Sequence, residues 1–496
     1  MGARNGAEYL HGLRERPREV WIYGEQVTGD ITEHPAFKNI TRSIAALYDL
    51  QHDPVLCGEM TYVSPLSGER VGLSFIQPRT HDDLRRRAAM MKRWADYSGG
   101  FIGRSPDYLN VGLAAMAAAS DYFARNDPRF GENVRRYYQH VRECDQCLTH
   151  TLITPQVNRS AGPAKQTDPF IVARVVKETD AGVVIRGARM LATLGPIADE
   201  IAVFPSTVLR GTEEDAPYSF AFAIPCDTPG LKFLCRESFD YGRSHFDHPL
   251  GSRFEEMDAV VVFDDVLVPW ERVFLYQDVE LCNNVFAETG AVIHMAHQVV
   301  VKNVAKAEFI FGIAASMAER IGIDGFQHVQ EKLAELIMTL ETMRAFLRAA
   351  EADAAIDRWG VMTPAWAPLN AARNLFPRLY PRMIEIVQQL GASGLMALPT
   401  EADVRGPIRP LIDRYLQGRN VDAYNRVKLF RLAWDAALSA FGSRQVLYER
   451  FFFGDPVRMA SALYLSYPKE KYRERIQAFL DRAERENVAE RAADGE

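Results

Sequence analysis

What this chain lacks narrows its function before any motif is read. No segment approaches the roughly 20 consecutive apolar residues that a membrane helix needs, and Met1-Gly2-Ala3-Arg4-Asn5-Gly6 is not followed by the apolar run of a secretory signal. Six cysteines among 496 residues do not make a disulfide framework. Basic residues are not in excess, because 58 Lys and Arg stand against 65 Asp and Glu. The resulting net charge of -7 argues against nucleic acid or an anionic membrane as the main partner. There is no Gly-x-Gly-x-x-Gly after a strand and no Walker A loop, so neither a Rossmann nor a P-loop nucleotide site is expected. A Gly-x-Ser-x-Gly elbow is missing too. These absences leave a cytoplasmic, multi-domain protein that would have to hold any nucleotide cofactor in some other way.

The periodicity is helical, then β, then helical again. Residues 1–55 carry short helical patterns with aromatic anchors at Tyr9, Trp21, Tyr23 and Tyr48, and 60–75 read as a hairpin turning at Ser64-Pro65-Leu66-Ser67-Gly68. Thr80 is placed to cap a helix running to about Tyr97, with Asp82 and Asp83 in its first turn. The triplet Arg85-Arg86-Arg87 in that helix reads as a solvated face. Further helices are expected near 110–124 and 130–148. From about 168 the period becomes two, with a hairpin signal at Asp180-Ala181-Gly182 and strand candidates at 200–204, 218–224, 231–235 and 258–263. From about Leu281 the spacing is helical to the end. The expected class is α+β, mostly α. Its parts are an N-terminal helical domain (1–147), a middle antiparallel β domain, a barrel or sandwich (148–277), and a C-terminal helical bundle with a tail (278–496).

Three polar turns stand at the seams of this pattern. In Thr149-His150-Thr151-Leu152-Ile153-Thr154-Pro155-Gln156-Val157-Asn158-Arg159, the proline should make the chain leave a helix, and an imidazole, hydroxyls, amides and a guanidinium leave with it. His150 there could accept a phenol proton or hold a phenolate. Arg104 and Tyr108, in Gly103-Arg104-Ser105-Pro106-Asp107-Tyr108-Leu109-Asn110, are four apart and would share a helical face. A guanidinium can steady an anionic oxygen, but the same residues also suit a plain helix start stabilised by Ser105, Pro106 and Asp107. The amides and guanidinium of Gln156, Asn158 and Arg159 suit the edge and phosphates of a flavin. Thr193, ending Arg189-Met190-Leu191-Ala192-Thr193, could donate to the same ring or satisfy backbone.

Metal ligation is not expected. Cys144-Asp145-Gln146-Cys147 lacks a second cysteine pair and reads as two thiols on one helix face. His245-Phe246-Asp247-His248 and His294-Met295-Ala296-His297 show no carboxylate partner in sequence and read as core or hydrogen-bonding histidines.

The chain nevertheless resembles one family nearly end to end. The matching stretches are Ala46-Leu47-Tyr48-Asp49-Leu50-Gln51-His52-Asp53-Pro54, the Arg104 and His150 turns, Phe263-Asp264-Asp265-Val266-Leu267-Val268-Pro269-Trp270-Glu271-Arg272, and Tyr448-Glu449-Arg450-Phe451-Phe452-Phe453-Gly454-Asp455-Pro456. They resemble the oxygenase components of the flavin-dependent 4-hydroxyphenylacetate 3-monooxygenases. The resemblance implies an acyl-CoA-dehydrogenase-like fold with N-terminal helices, a middle β-barrel domain and a C-terminal four-helix bundle, assembled as a homotetramer. It implies reduced FAD from a separate reductase, O2 as co-substrate, a C4a-hydroperoxyflavin, and oxygen transfer ortho to a phenol hydroxyl. By resemblance, Arg104, Tyr108 and His150 are the catalytic residues. Ser105, Pro106, Asp107, Ser206 and Thr207 join them around the substrate, with Ser206 and Thr207 at its carboxylate. His150, Gln156, Val157, Asn158, Arg159, Thr193, Gly454, Asp455, Pro456 and Val457 are the flavin contacts, the last four able to come from a neighbouring subunit. A halophenol, nitrophenol or tyrosine-analogue hydroxylase is the alternative within the family, and a silent helical scaffold the alternative outside it. The related 4-hydroxybutyryl-CoA dehydratases hold a [4Fe–4S] cluster on Cys and His. Here 99–110 contain no Cys and Val301 stands seven residues after His294, so that cluster has no thiolates.

Overall fold

The computed structural model describes residues 2–205, 209 and 213–493. It forms two compact units, Met1–Arg450 and Phe451–Glu496, each described by itself. The first opens with α1 (Gly6–Glu15), closed by a capping box between Asn5 and Glu8. After it come β1 (Glu19–Ile22), β2 (Glu25–Gln26), α2 (Lys38–Asp49) and the expected hairpin of β3 (Thr61–Val63) and β4 (Arg70–Gly72). α3 (His81–Tyr97) begins as its sequence implies: Asp83 N–H donates to the Thr80 hydroxyl, and Thr80 N–H donates to the Asp83 carboxylate. α4 (Asp107–Ala118) and α5 (Pro128–Cys144) follow.

The strands are β5 (Leu148–Thr151), β6 (Arg174–Thr179), β7 (Gly182–Thr193), β8 (Glu200–Val203), β9 (Phe220–Pro225), β10 (Leu231–Cys235), β11 (Asp258–Pro269) and β12 (Val273–Tyr276). They build two open sheets, ordered β2-β1-β10-β11-β7-β6 and β12-β9-β8-β5. Among the described residues no closed barrel forms, so the expected barrel is corrected to two facing sheets. They are not purely antiparallel either, since β1 runs parallel to β10 and β5 parallel to β8. Alternation in sequence shows which face of a strand is buried, and says nothing of whether the sheet closes. The sheets meet through Phe222 of β9 and Phe263 of β11, edge to face at 6.1 Å, with Phe220 stacked on Phe222 at 5.4 Å. Each such ring contributes about 1.5–3 kcal/mol by leaving water.

Two further expectations change here. Residues around Trp21 form a strand, with Val20 and Ile22 buried and Trp21 exposed, not part of a helical pattern. Arg87 is buried against His294, Nη2 lying 2.9 Å from Nδ1, and so is not on a solvated face.

The helices resume with α6 (Val279–Glu288), α7 (Ala291–Arg320), α8 (Gln327–Ala352), α9 (Trp366–Gly391), α10 (Ala423–Ala437) and α11 (Ala440–Phe451). α7 is buried on nearly every side over its first half, which fits a helix surrounded by others. It packs against α3, α4, α8, α9 and α10 and so ties the N-terminal helices to the C-terminal ones. The second unit consists mainly of α12 (Pro456–Ser466) and α13 (Glu470–Ala493).

Candidate active site

The Arg104 turn is shaped by what comes before it. α3 stops at Gly99 and Gly100, whose φ values of +59° and +76° suit glycine. A Cβ on Gly100 would also stand 2.8 Å from Lys306 Cβ on α7. The chain then lies close to α7 and α11, where Gln445 Nε2 donates to the Phe101 carbonyl at 3.1 Å. Arg104 N–H donates to Glu256 at 2.7 Å. Beyond it, Ser105 Oγ donates to Asp107 at 2.5 Å and Gln298 Nε2 donates to the same carboxylate at 3.2 Å. Burial raises Asp107 to about 6 despite these bonds. Ser105 and Asp107 are thus engaged with one another at the start of α4, Asp107 following directly on Pro106.

His150 sits within β5, opposite Ala202 of β8. The expected helix exit at this point is corrected: α5 ends at Cys144 with Asp145 in the left-handed conformation, and the polar run that follows is a strand. Period two then separates its side chains. Thr149 and Thr151 turn to β7, donating to the carbonyls of Thr193 at 2.7 Å and Met190 at 3.1 Å. His150 turns the other way, into a pocket of about 390 Å³ counted to its mouth. Leu109, Leu113, Met116, Phe204 and Phe286 line that pocket, with His150 and Tyr137 as its polar side chains.

The structure brings Arg104, Tyr108 and His150 together. The Tyr108 and His150 ring centroids are 5.6 Å apart, and Arg104 Cζ lies 4.1 Å from the Tyr108 centroid. Burial, then the Arg104 cation, hold the His150 imidazole well below its ordinary range, so it is neutral at pH 7.

Behind this set lies a network that sequence spacing did not reveal. Glu256 accepts from Arg444 Nη1 at 2.9 Å, and Arg444 holds Asp258 through Nε at 3.0 Å and Nη2 at 2.8 Å. Thr193 Oγ1 donates to Asp258 at 2.7 Å. Burial alone would raise Asp258, but Arg444 and Arg236 keep it at about 2. Through these bonds all three polar turns join one connected structure.

The other sequence candidates are placed differently. Gln156, Val157, Asn158 and Arg159 are exposed on the loop after β5, and the Asn158 side chain accepts from Ser160. Ser206 and Thr207 lie outside the described residues; nearby, Leu209 is held by the Asn283 carboxamide of α6, with two bonds of 3.0 Å. Gly454, Asp455, Pro456 and Val457 belong to the second unit, where Asp455 caps α12 by accepting from the N–H groups of Val457 and Arg458. Among the described residues no group of three His, Cys, Asp or Glu side chains could hold a metal. Of the paired histidines, His245, His294 and His297 are hydrogen-bonded as expected, and two of the four have carboxylate neighbours: His297 Nε2 lies 2.9 Å from Glu351 and His248 Nδ1 lies 3.4 Å from Asp435.

Residues 5–275 match the family model described as 4-hydroxyphenylacetate 3-hydroxylase N terminal, and 282–481 match its C-terminal counterpart. The chain belongs to the 4-hydroxyphenylacetate 3-hydroxylase family. Among the relatives within that family, a 4-hydroxyphenylacetate 3-monooxygenase oxygenase component from Thermus thermophilus is 55% identical over 96% of this chain and 97% of its own. The protein of the same description from Geobacillus sp. is 52% identical over 97% of each chain. A crystal structure of such an oxygenase component complexed with FAD and 4-hydroxyphenylacetate superposes with a TM-score of 0.93 at 55% identity, covering 97% of this chain and 99% of the other. The hydroxylase fold therefore extends over nearly the whole chain.

Proposed function

We propose that this chain is the oxygenase component of a two-component monooxygenase that converts 4-hydroxyphenylacetate to 3,4-dihydroxyphenylacetate. Reduced FAD from a separate reductase, together with O2, supplies the oxygen: one atom enters the ring ortho to the phenol hydroxyl, the other leaves as water, and the flavin ends oxidised. The observation that carries this reading is the buried set of Arg104, Tyr108 and His150 beside an apolar pocket, in a chain 55% identical to one crystallised with that phenol and FAD.

The side chains fit a flavin by their chemistry. The carboxamides of Gln156 and Asn158 match the donor and acceptor edge of the ring, and the Arg159 guanidinium matches a pyrophosphate. These side chains stand exposed on the loop that continues β5, just beyond His150. Val157 belongs to the same loop. Thr193 would contribute from the end of β7, with its hydroxyl proton already given to Asp258. For 454–457 the support is the resemblance alone.

The chain's own residues then handle the phenol. The Arg104 guanidinium stabilises the phenolate oxygen, and ionisation enriches the ring carbon ortho to it. Neutral His150 accepts the phenol hydrogen bond. As negative charge develops on that oxygen it offsets Arg104, whose field helps hold the imidazole down, and so raises the basicity of His150 when a proton needs a place. Tyr108 keeps the guanidinium seated on its ring and can donate to either oxygen partner. The apolar walls exclude water, which strengthens the attraction between Arg104 and phenolate. Ser105, Pro106 and Asp107 shape the turn on which the substrate rests, and Ser206 and Thr207 hold its carboxylate.

The reading extends to a homotetramer acting in the cytoplasm, to the three-part order 1–147, 148–277 and 278–496, and to α7–α10 as a four-helix bundle. The deciding experiment mixes the protein anaerobically with reduced FAD, then adds oxygenated buffer with and without 4-hydroxyphenylacetate. The expected result is 3,4-dihydroxyphenylacetate in proportion to flavin oxidised. Flavin oxidation with no catechol formed would overturn the reading.

A further inference from the structure

The turn that carries Arg104 has a second wall, formed by α11 and α7, which the chemistry above does not use. Tyr448 of α11 turns a buried hydroxyl toward it, and burial pushes that phenol well above its ordinary range, so the ring stays uncharged. Cations surround the ring: Arg444 Cζ at 4.9 Å from its centroid, Arg104 Cζ at 5.5 Å, Lys302 Nζ at 5.6 Å and Lys306 Nζ at 6.0 Å. Two buried carboxylates balance them. Glu449 accepts from Lys302 at 2.5 Å and Lys306 at 2.6 Å, while Glu256 accepts from Arg444 and from the Arg104 backbone. Gln445, one turn before Glu449, bridges Lys306 at 2.8 Å and the Phe101 carbonyl at 3.1 Å, which fastens the start of the turn to the same helix. Gly103 lies directly on the ring: a Cβ there would stand 2.4 Å from the Tyr448 hydroxyl and 2.6 Å from its Cε1.

Removing either wall would free a long, flexible side chain at the point where geometry matters most. The geometry points to Tyr448 as a positioning residue for Arg104: backed by the Lys302–Glu449–Lys306 set, it holds the guanidinium against Tyr108 so that Arg104 meets the phenol oxygen at a fixed place. This assignment rests on the phenol-hydroxylating reading above. It differs from a purely structural role in what it moves, namely the preference of the site for phenolate over phenol.

That preference can be read directly with 4-nitrophenol, whose two ionisation states absorb differently. Titrating the bound probe on wild type, Tyr448→Phe and Tyr448→Leu gives the phenol pKa in each site, with circular dichroism as the folding control. Wild type should lower the probe's pKa on binding. Tyr448→Leu should give back about one unit, a tenfold loss of phenolate preference, and lose turnover of 4-hydroxyphenylacetate in proportion. Tyr448→Phe, which keeps the ring, should stay near wild type. Should Tyr448→Leu fail to fold, Gly103→Ala displaces the same ring and is read in the same way. An unchanged phenolate preference in the folded variant overturns the positioning role and leaves the function standing. No phenolate preference in wild type also overturns it, and the wild-type hydroxylation assay then shows separately whether the function falls too.

Discussion

His150 is under two opposing demands. Burial and Arg104 keep it neutral, yet on the proposed reading a phenol proton needs an acceptor where it stands. His150→Ala should therefore cut hydroxylation by roughly 10²–10⁴ while flavin oxidation continues, so product formed per flavin oxidised is the quantity to measure. Equal loss of both would make His150 a flavin or structural residue. Burial also depresses His294, helped by Arg87, and His297, where Glu351 works against it. A histidine whose folded pKa is depressed contributes stability that is complete above about 6.5 and lost as pH falls toward the folded value. Asp107 and Asp145, raised by burial to about 6, act in the opposite sense over the lower part of that window. The test is accordingly a difference: between pH 7.5 and 5.5, as rough limits of the histidine window, the denaturation midpoint of His294→Gln should fall less than that of wild type. At this scale the sequence offered Arg104, Tyr108 and His150 through their polar company. It could not offer Glu256, Arg444 or Tyr448, whose partners lie hundreds of positions away, and it misplaced Arg87 because a basic triplet does not show which member turns inward.

Short elements decide how the site is held. β5 has only four residues, and its register with β8 sends His150 to the pocket and its threonine neighbours to β7. Hydroxyls next to a proline gave no sign of that strand, because its parallel partner begins only at Glu200. Antiparallel pairing with a local turn was easier to read: the β6–β7 hairpin at 180–182 and the positions of β8 to β11 follow their alternation closely. Between β11 and α11, Asp258 ties Thr193 to Arg444. Asp258→Asn would take from buried Arg444 one of its two carboxylate partners, leaving Glu256, and chemical denaturation should show a loss of up to about 3–5 kcal/mol. Thr80→Ala removes one cap of α3, far from the site, and should cost only about 1 kcal/mol with turnover unchanged.

Across the whole molecule, the order helix, strand, helix was legible from periodicity, but the closure and membership of the sheets were not. β1 joins the larger sheet from the N-terminal region by pairing Glu19 with Lys232, and Arg4 reaches Asp199 at 2.5 Å. Removing residues 1–26 should uncover the β10 edge and leave Asp199 buried without its guanidinium; soluble yield and size-exclusion profile are the checks, with aggregation expected. The same pairing has a consequence in time. During synthesis β1 emerges before its partner strand, which at about 5–20 residues per second follows roughly 10–40 s later. The apolar side of Val20 and Ile22 must wait through that interval, so this part of the sheet is completed by a strand made well before the one it pairs with.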